Sequence, residues 1–457
     1  MDLLEELQWR GMLHQGTDLE GLRAHLTNPS SSRRRIYAGF DPTADSLTIG
    51  NLVPIMLLKH IQRAGHEPIV LMGGGTGLIG DPSGKSAERQ LMTAETVERH
   101  ISKQRPIFSS ILGDDVTIVN NADWLTNLGY IEALRDIGKF FSVNMMMQKD
   151  SVRSRLNDRD QGISYTEFSY MILQAYDFAY LFEKKGVTVQ CGGSDQFGNI
   201  ITGVDLIRRM VAVDEISRLQ EAAVKAGKDP DQPFTMIRKV DDDSDSSEKT
   251  FGFTAPLVTK ADGTKFGKTE SGAIWLTAER TSPYAYYQFW LNTSDADVGR
   301  FLRTFTLLER AEIERLDTEV ANNPHARQAQ KTLAYEATKL LHGEEEAESA
   351  VQASQALFSG DISSLPEATL RQVLADVPSS ERSKSEIDSG VDLIELLVDL
   401  GLASSKRQSR EFIQAGSVSV NGQKIGPEAK LTGQNLLHGK MIAIRRGKKN
   451  WHLIIWN

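Results

Sequence analysis

Apolar and polar positions alternate along the first part of the chain in a pattern that predicts buried strands joined by helices. Residues 36–40 form a short apolar run that stops at Asp41 and Pro42, because proline has no N–H and disfavours helix just before it. Apolar residues then recur at helical spacing over 49–61, and a second apolar run covers 68–72. A strand, a helix and a strand with tight connections predict a parallel βαβ unit.

The same two patterns continue through the first 280 residues. They predict helices over 94–112, 127–157, 164–185 and 197–222, and strands over 116–119 and 187–190. The fold class predicted for residues 1–280 is therefore α/β, built on a parallel sheet.

Composition divides the rest of the chain into further parts. A chain of 457 residues exceeds what one hydrophobic core organises, so several domains are expected. Residues 281–360 are predicted to form a helical domain, 361–388 are polar and predict a linker, and 389–457 predict a small α/β module. Within the first domain, residues 225–249 form an acidic insertion whose simplest interpretation is a solvated surface loop.

Charge is distributed unevenly between the two ends of the chain. The net charge is −9, but residues 401–457 hold ten Lys and Arg against two Glu, a net +8, so that residues 1–400 carry −17. A basic tail on an acidic body predicts contact with a polyanion such as RNA.

Several classes of protein are disfavoured by composition. No apolar run approaches the roughly 20 residues that span a bilayer, and the acidic start of the chain is unlike a signal peptide, so we expect a cytoplasmic protein without membrane contact. The single cysteine, Cys191, excludes an internal disulfide and a multi-cysteine zinc site. No HExxH-type spacing is present, and no protein-bound structural metal is expected.

Glycine-rich loops follow two of the predicted strands and mark candidate ligand sites. The first begins at Gly73 and runs to Arg89, and the second contains Gly192 and Gly193. Ligands of open α/β sheets bind at the carboxyl ends of the strands, where both loops converge with the turn at 41–51. A helix begins in that turn and its unpaired N–H groups suit a polyphosphate, although the same stretch also fits an ordinary strand-to-helix turn.

Two further patterns place polar and charged groups near these loops. Tyr170, Gln174 and Asp177 lie at i, i+4 and i+7 on one face of a predicted helix, and the apolar residues around them favour a pocket over a solvated face. Lys265 and Lys268 lie in a glycine-containing loop that can close over a leaving pyrophosphate.

Four motifs, taken together, indicate a family. They are Asp41-Pro42-Thr43-Ala44-Asp45-Ser46-Leu47, Gly77-Leu78-Ile79-Gly80-Asp81-Pro82-Ser83, Gly192-Gly193-Ser194-Asp195-Gln196 and Lys265-Phe266-Gly267-Lys268-Thr269. In this order they closely resemble the bacterial tyrosyl-tRNA synthetases, which are class I aminoacyl-tRNA synthetases, and the resemblance covers nearly the whole chain. It implies a Rossmann-like catalytic domain over 1–280, a helical domain on the anticodon side over 281–360 and an RNA-binding module over 389–457.

The resemblance also implies a reaction, that of a tyrosine–tRNA ligase. L-Tyrosine attacks the α-phosphate of ATP, which carries Mg²⁺, to give tyrosyl-adenylate and pyrophosphate, and the tyrosyl group then passes to the 3′ end of tRNA(Tyr). Catalysis of this kind rests on positioning and on charge stabilisation in the transition state. A homodimer is implied as well, and the apolar residues of 125–145 supply a candidate interface.

Roles for individual residues follow from the resemblance. For tyrosine, the phenol is expected to contact Tyr37 and Asp177. The ammonium group is expected to contact Asp81, Tyr170 and Gln174, and the carboxyl end is expected to contact Gln196. For ATP, the ribose is expected to meet Gly39, Asp41, Gly193 and Asp195, and the phosphates Thr43, Thr48, Asn51, Lys85, Arg89, Lys265, Lys268 and Thr269. For tRNA, the expected residues are Lys406, Arg407 and Arg410, which open a basic helix.

One motif departs from the family pattern. The usual His-Ile-Gly-His signature is Thr48-Ile49-Gly50-Asn51 in this chain. Asn51 keeps a hydrogen-bond donor, whereas Thr48 replaces an imidazole by a shorter hydroxyl. A lost hydrogen bond to a charged group costs about 1.5–3 kcal/mol, roughly ten- to hundredfold in rate.

This departure supports an alternative hypothesis, an activation-deficient synthetase-like factor that only binds RNA. The presence of Asp81, Asp177, Gln196, Lys265 and Lys268 favours an active ligase instead, because drift would have eroded several of them. A third hypothesis, a small-molecule nucleotidyltransferase, leaves the basic C-terminal module without a role.

Overall fold

The computed structural model describes most of the 457 residues. The described ranges are 2–28, 33–81, 91–149, 152–153, 163–225, 249–264, 266–269, 272–359, 362–375, 377–426, 428–447 and 450–457, with the backbone alone at 216–225, 268–269 and 358–359. The acidic insertion predicted at 225–249 lies almost entirely outside them. The chain divides into two compact units, which we describe separately: unit 1 contains Met1–Arg280 and Ala296–Arg315, and unit 2 contains Thr281–Asp295 and Leu316–Asn457.

A six-stranded sheet organises unit 1. Its strands, numbered along the chain, are β1 (Gln15–Gly16), β2 (Arg35–Phe40), β3 (Glu67–Met72), β4 (Thr117–Asn120), β5 (Val187–Gly193) and β6 (Phe251–Ala255). Their spatial order is β1-β6-β5-β2-β3-β4, with β1 antiparallel to β6 and every other neighbouring pair parallel. A short antiparallel pair, β7 (Lys268–Thr269) and β8 (Gly272–Ala273), stands apart from this sheet. The predicted α/β class and its parallel βαβ unit are confirmed.

Helices connect the strands of unit 1. They are α1 (Leu3–Trp9), α2 (Leu19–Thr27), α3 (Leu52–Arg63), α4 (Ala94–Leu112), α5 (Ala122–Leu125), α6 (Tyr130–Glu132), α7 (Val143–Met147), α8 (Tyr165–Lys185) and α9 (Phe197–Lys225). The prediction of one helix over 127–157 is wrong, because α6 is followed by a π-helical turn (Ala133–Ile137) and a 3-10 turn (Gly138–Phe140) before the backbone becomes extended at Phe141. Glycine at the junction of the two turns weakens a continuous helix.

The core of unit 1 lies on both faces of its sheet, as expected for parallel strands covered by helices. Ile36, Ala38, Val70 and Val189 on the central strands have no exposed surface. The apolar residues of α3 are buried as well, which confirms the helical spacing seen over 49–61. The loops that follow β2, β3 and β5 therefore meet at one edge of a rigid sheet.

Unit 2 combines helices with a second sheet. Its helices are α10 (Pro283–Leu291), α13 (Gln328–His342), α14 (Glu344–Ser359), α15 (Glu367–Val373), α16 (Lys384–Asp388), α17 (Leu393–Asp399) and α18 (Lys406–Gln414), while α11 (Asp295–Phe305) and α12 (Arg310–Asn322) cross the division between the units. Its strands are β9 (Ser379–Arg382), β10 (Val391–Asp392), β11 (Val418–Val420), β12 (Gln423–Lys424), β13 (Lys430–Leu431), β14 (Met441–Arg446) and β15 (Asn450–Trp456). Five of them form a sheet in the order β12-β11-β14-β15-β9, and β10 pairs with β13.

The prediction of a linker over 361–388 is wrong. This range contains α15, β9 and α16, and β9 pairs in parallel with β15. Leu370 is buried in the same hydrophobic cluster as Met441 and Leu453. Its strand is polar and is completed by a partner at the end of the chain, so the local pattern of 379–382 resembles a connection. The other predicted domain limits stay predictions.

The hairpin of the C-terminal module has a two-residue turn. Val420 pairs with Gln423, and the residues between them, Asn421 and Gly422, have φ values of 52° and 87°. Positive φ at both positions is what a type I′ turn requires. The Asn421 side chain also donates from Nδ2 to the carbonyl of Asn435 (2.5 Å), which ties the turn to the neighbouring loop.

Candidate active site

A cleft of about 590 Å³ opens at the carboxyl ends of β2, β3 and β5 in unit 1. Its walls are the loops after these strands, the turn that opens α3 and one face of α8. The predicted residues that line it are Tyr37, Gly39, Asp41, Thr43, Thr48, Asn51, Asp81, Tyr170, Gln174, Asp177, Gly193, Asp195 and Gln196. The cleft therefore lies at the edge of the sheet that the two glycine-rich loops predict.

Five other predicted residues are not placed against the cleft. Lys85, Arg89 and Lys265 lie outside the described residues, and Lys268 and Thr269 are described by their backbone alone, in β7. Their contacts with a nucleotide therefore stay predictions.

The stretch that contains β7 is attached at both ends to the turn before α3. Main-chain hydrogen bonds join Ile49 N to Ile274 O (2.9 Å) and Leu276 N to Leu47 O (2.8 Å). At the other end, Gly267 has a φ of +80°, and a Cβ there would lie 2.4 Å from Cγ2 of Ile49. Only glycine fits this approach, so the chain lies against the turn at Gly267 and returns to it at Ile274 and Leu276.

Asp177 is a buried carboxylate on α8. Its Oδ2 accepts a hydrogen bond from Nδ2 of Asn121 (2.8 Å), and its Oδ1 accepts one from Nε1 of Trp124 (2.7 Å). Burial raises the pKa of Asp177 to about 7; the two donors oppose this rise, and the carboxylate of Asp41 adds to it. The group is therefore poised between its charged and neutral forms near neutral pH.

Asn121 and Trp124, which hold Asp177, are not among the residues predicted from the sequence. They follow β4, the strand next to β3, and both are buried. The available signal was their position, since polar groups after a strand of an open α/β sheet face the ligand edge. Their partner, Asp177, lies more than fifty positions away, so no local spacing connects them.

Tyr37 is fully buried on β2, and its hydroxyl has no hydrogen-bond partner among the residues that the structure describes. Burial, followed by the nearby groups of Asp177 and Cys191, raises the pKa of Tyr37 well above its ordinary value. A buried hydroxyl without a partner is costly unless a ligand supplies one.

Asp41 accepts hydrogen bonds from two other residues that line the cleft. Its Oδ2 accepts from the hydroxyl of Tyr170 (3.0 Å) and its Oδ1 from Oγ1 of Thr76 (2.8 Å). Tyr170 is 5% exposed and Asp177 is 1% exposed, so the alternative of a solvated face for their helix is wrong. Burial, with the carboxylates of Asp41 and Asp81, raises the pKa of Tyr170 well above its ordinary value.

Amide side chains link the remaining polar residues. Nε2 of Gln196 donates to Oδ2 of Asp81 (2.6 Å). Nδ2 of Asn199, a buried residue that the sequence analysis missed, donates to Oε1 of Gln174 (2.9 Å) and of Gln196 (3.3 Å). Burial and the charge of Asp81 raise the pKa of Asp195. This side of the cleft is negative and rich in amides, which suits an ammonium group.

Thr48 and Asn51 bond to each other in the turn before α3. The main-chain N–H and the hydroxyl of Thr48 both donate to Oδ1 of Asn51, each at 3.0 Å. Because a main-chain N–H can only donate, the oxygen of the Asn51 amide must face Thr48. The NH₂ group of Asn51 has no partner within the described ranges, which leaves a donor beside the helix start.

The described residues contain neither a cluster of metal ligands nor a helix that could span a membrane. No group of three or more His, Cys, Asp or Glu side chains in these residues is placed to hold a metal ion. None of their helices is both long enough and apolar enough to cross a bilayer.

Comparisons with known proteins place this chain in a family. The family model described as tRNA synthetases class I (W and Y) matches residues 30–359, and that of the tyrosine–tRNA ligase SYY-like C-terminal domain matches 369–454. The tyrosine–tRNA ligases of Geobacillus kaustophilus and Aliivibrio fischeri are 49% and 48% identical to it, over 99% and 100% of this chain and 99% of each of theirs. The chain belongs to the class I tyrosine–tRNA ligases.

A solved structure supports the same membership. The C-terminally truncated mitochondrial tyrosyl-tRNA synthetase of Aspergillus nidulans has a TM-score of 0.63 and 31% identity to this ligase, covering 78% of this chain and 94% of that one. The predictions of the family, the fold class and the ligase activity are confirmed, and the activation-deficient alternative is not favoured. The roles of individual residues stay predictions.

The three predicted tRNA contacts lie in unit 2, on α18. Lys406 pairs with Glu395 (2.5 Å) and Arg407 with Glu411 (3.0 Å), and all four side chains are mostly exposed. Arg410 is exposed and has no ionic or hydrogen-bond partner in the part of the chain that the structure describes. Exposed ion pairs contribute little stability, so these cations can exchange their partners for phosphates.

Proposed function

We propose that the cleft binds L-tyrosine and ATP side by side and joins them. An oxygen of the tyrosine carboxylate attacks the α-phosphorus of ATP, and the bond from that phosphorus to the pyrophosphate oxygen breaks. A hydroxyl at the 3′ end of tRNA(Tyr) then attacks the carbonyl carbon of tyrosyl-adenylate and displaces AMP. Because the substrates supply both nucleophiles, the side chains act by positioning and by stabilising charge.

The phenol site is the observation that carries this proposal. Tyr37 offers an O–H that no described residue accepts, and Asp177 offers a carboxylate close enough to raise the pKa of that hydroxyl. A phenol can accept from Tyr37 while donating its own hydrogen to Asp177. Phenylalanine can do neither, and so it leaves the hydroxyl buried and unpaired.

The amino-acid end of tyrosine fits the negative, amide-rich side. Asp81 supplies charge for the ammonium group, and Tyr170 and Gln174 supply oxygen acceptors. We assign Gln196, which donates to Asp81 from its Nε2, to the carboxyl end of tyrosine. An ammonium group needs acceptors, whereas a pyrophosphate would be repelled by Asp81, so tyrosine rather than ATP occupies this side.

The remaining residues are assigned to ATP. We assign the ribose to Gly39, Asp41, Gly193 and Asp195, and the phosphates to Thr43, Thr48, Asn51 and the N–H groups at the start of α3. Lys85, Arg89, Lys265, Lys268 and Thr269 are assigned to the phosphates by the family resemblance. Mg²⁺ is expected to arrive with ATP as part of that substrate.

Tyrosine-dependent exchange between ATP and pyrophosphate tests this assignment. Asp177→Asn removes the charge that accepts the phenol hydrogen and is expected to lower kcat/KM for tyrosine by roughly ten- to hundredfold. Asp123→Asn is a matched control, because Asp123 is exposed on α5 beside Trp124. The assignment fails if both substitutions have the same effect, or if Asp177→Asn changes the KM for ATP alone.

We propose that a second copy of the chain covers an apolar patch on unit 1. The patch is defined by six side chains that are 45–73% exposed: Tyr130, Ile131, Leu134, Val143, Met145 and Met147. Exposed apolar side chains clustered in one short segment favour an interface, and the implied homodimer supplies its occupant. Ile131→Glu should convert a dimer to a monomer in light scattering, whereas Leu91→Glu, an equally exposed site elsewhere, should not. A monomeric wild-type chain would contradict the proposal.

We propose that α18 contacts tRNA through Lys406, Arg407 and Arg410. Deleting residues 389–457 is a poor test, because β9 before the cut pairs with β15 after it. Arg410→Ala keeps the fold and should lower the slope of log K against log salt by about 0.7–0.9, the value for one phosphate contact. Lys331→Ala, at an exposed site on α13, should leave the slope unchanged. A cytoplasmic location stays a prediction.

A further inference from the structure

We infer that Thr76 is a positioning residue whose hydroxyl fixes the carboxylates on both sides of the cleft, Asp41 on the nucleotide side and Asp177 on the tyrosine side. The assignment of those two sides rests on the function proposed above. Thr76 lies in the 3-10 turn Thr76–Leu78 after β3 and is 3% exposed. It lies in the first glycine-rich loop, directly before the motif that begins at Gly77, and is not among the site residues predicted from the sequence.

The direction of every hydrogen bond around Thr76 can be assigned. The main-chain N–H groups of Gly75 (2.7 Å) and Thr76 (3.4 Å) both donate to Oδ1 of Asn121. Because main-chain nitrogen only donates, this amide cannot be flipped, and its NH₂ group must point the other way. One hydrogen of that group goes to Oδ2 of Asp177 (2.8 Å) and the other to Oγ1 of Thr76 (3.0 Å).

The hydroxyl of Thr76 is therefore an acceptor on one side and a donor on the other. It accepts from Asn121, so its own hydrogen is available to Oδ1 of Asp41, 2.8 Å away. A single chain of three hydrogen bonds thus runs from Asp41 through Thr76 and Asn121 to Asp177. Trp124 and Tyr170 complete the chain by binding the second oxygen of each carboxylate.

The backbone at Gly73 packs closely against the side chains of Thr76 and Asp41. A Cβ at Gly73 would lie 2.2 Å from Oδ1 of Asp41 and 2.6 Å from Oγ1 of Thr76, so the loop passes against both groups. Without the hydroxyl, an oxygen of Asp41 and a hydrogen of Asn121 would both be buried with one partner fewer. A site that works by positioning loses rate when such groups rotate.

Thr76→Val tests the inference, because valine keeps the shape and removes the hydroxyl. We expect KM for tyrosine and KM for ATP in pyrophosphate exchange to rise together, each by about tenfold. Equilibrium dialysis should show the same weakening for tyrosine alone. Thr76→Ser keeps the hydroxyl and should restore both values to within about twofold, while Thr126→Val, at an exposed threonine after α5, should change neither.

The outcomes that overturn the inference are distinct from those that overturn the assigned sides. A rise in only one KM with Thr76→Val, or no rescue by Thr76→Ser, shows that the hydroxyl does not serve both carboxylates. If Thr76→Val folds poorly, Thr76→Ala replaces it, with the same expected result in both KM values. Asp177→Asn is the reference variant. If it leaves tyrosine binding intact, the assignment of the tyrosine side fails. If Asp177→Asn weakens tyrosine binding but the Thr76 variants bind both substrates like the wild type, only the inference about Thr76 is refuted.

Discussion

The pKa of Asp177 makes tyrosine binding depend on pH. Both of its oxygens already accept hydrogen bonds, from Asn121 and Trp124. The charged form can accept a further hydrogen from a phenol, whereas the neutral form must place its own hydrogen against one of these donors. Tyrosine should therefore bind the charged form, and its affinity should rise as pH rises through the pKa of about 7.

The magnitude follows from the fraction of Asp177 that is charged. With a pKa of about 7, this fraction is about nine-tenths at pH 8 and about one-eleventh at pH 6. The dissociation constant for tyrosine should therefore be about tenfold higher at pH 6 than at pH 8, or about 1.4 kcal/mol. Below pH 6 it should rise by a further factor of about ten for each unit.

The same shift has a consequence for folding. The pKa of Asp177 is raised from its ordinary value of 3.8, so the folded chain holds this proton where the unfolded chain has lost it. Stability of the ligand-free enzyme should fall as pH rises from about 4 to about 7, because the unfolded state binds fewer protons in that window. Bound tyrosine offsets the loss by pairing with the charged carboxylate.

Equilibrium dialysis of tyrosine between pH 5.5 and 8.5 tests whether the affinity for tyrosine rises with pH. Asp177→Asn should bind weakly and should show no tenfold change between pH 6 and pH 8, whereas Asp123→Asn should follow the wild-type curve. A flat wild-type curve would refute the raised pKa. An affinity that falls with rising pH would show that a protonated Asp177 donates to the phenol oxygen.

Two further predictions concern structure and the altered motif. Arg10 is 1% exposed in unit 1, where it pairs with Glu6 (2.6 Å) and donates to three main-chain carbonyls after and within the end of α11. Arg10→Met should lower the free energy of unfolding in urea by about 3 kcal/mol, because Glu6 and the three carbonyls lose their buried partner. Arg23→Met, at an exposed ion pair, should lower it by under about 1 kcal/mol. Equal urea midpoints for the two variants would contradict this prediction. Thr48→His should slow adenylate formation in single-turnover assays by about two- to tenfold, because it removes the hydroxyl bond that orients Asn51. A faster variant would show that Thr48 is an uncompensated loss.

The sequence was most informative where spacing is local. Tyr170, Gln174 and Asp177 could be placed on one wall because helical geometry fixes residues at i, i+4 and i+7 on one face. Asn121 and Trp124 could not be found in this way, since their partner lies on another element and only the sheet order brings them together. Sequence spacing predicts which residues share a face within one helix or strand, but it does not predict contacts between residues on different elements.

The wrong linker prediction has the same physical origin. β9 is polar along its length, with Ser379 and Arg382 at its ends, and it becomes a strand because β15 supplies its hydrogen-bond partners. Strand preference depends on such neighbours more than on the residues themselves. The earlier part of the segment did carry an apolar signal, because Ile362, Leu365, Leu370, Val373 and Leu374 are buried in one cluster and recur mostly at spacings of three and four.

Two amides of the cleft show why a site that acts by positioning can tolerate a changed motif. The oxygen of Asn51 is fixed by the main-chain N–H of Thr48, and the oxygen of Asn121 by that of Gly75. In both cases the main-chain donor decides which end of the amide faces it, and a threonine hydroxyl adds a second bond: that of Thr48 to the oxygen of Asn51, and that of Thr76 to the NH₂ group of Asn121. Asn51 thereby presents a donor at the helix start through main-chain geometry, which any residue at position 48 other than proline supplies, and the hydroxyl of Thr48 adds a second bond to the same oxygen. We predict that this hold on Asn51 takes the place of the imidazole that the usual motif carries at position 48, so that the rate of adenylate formation depends on how well Asn51 is held.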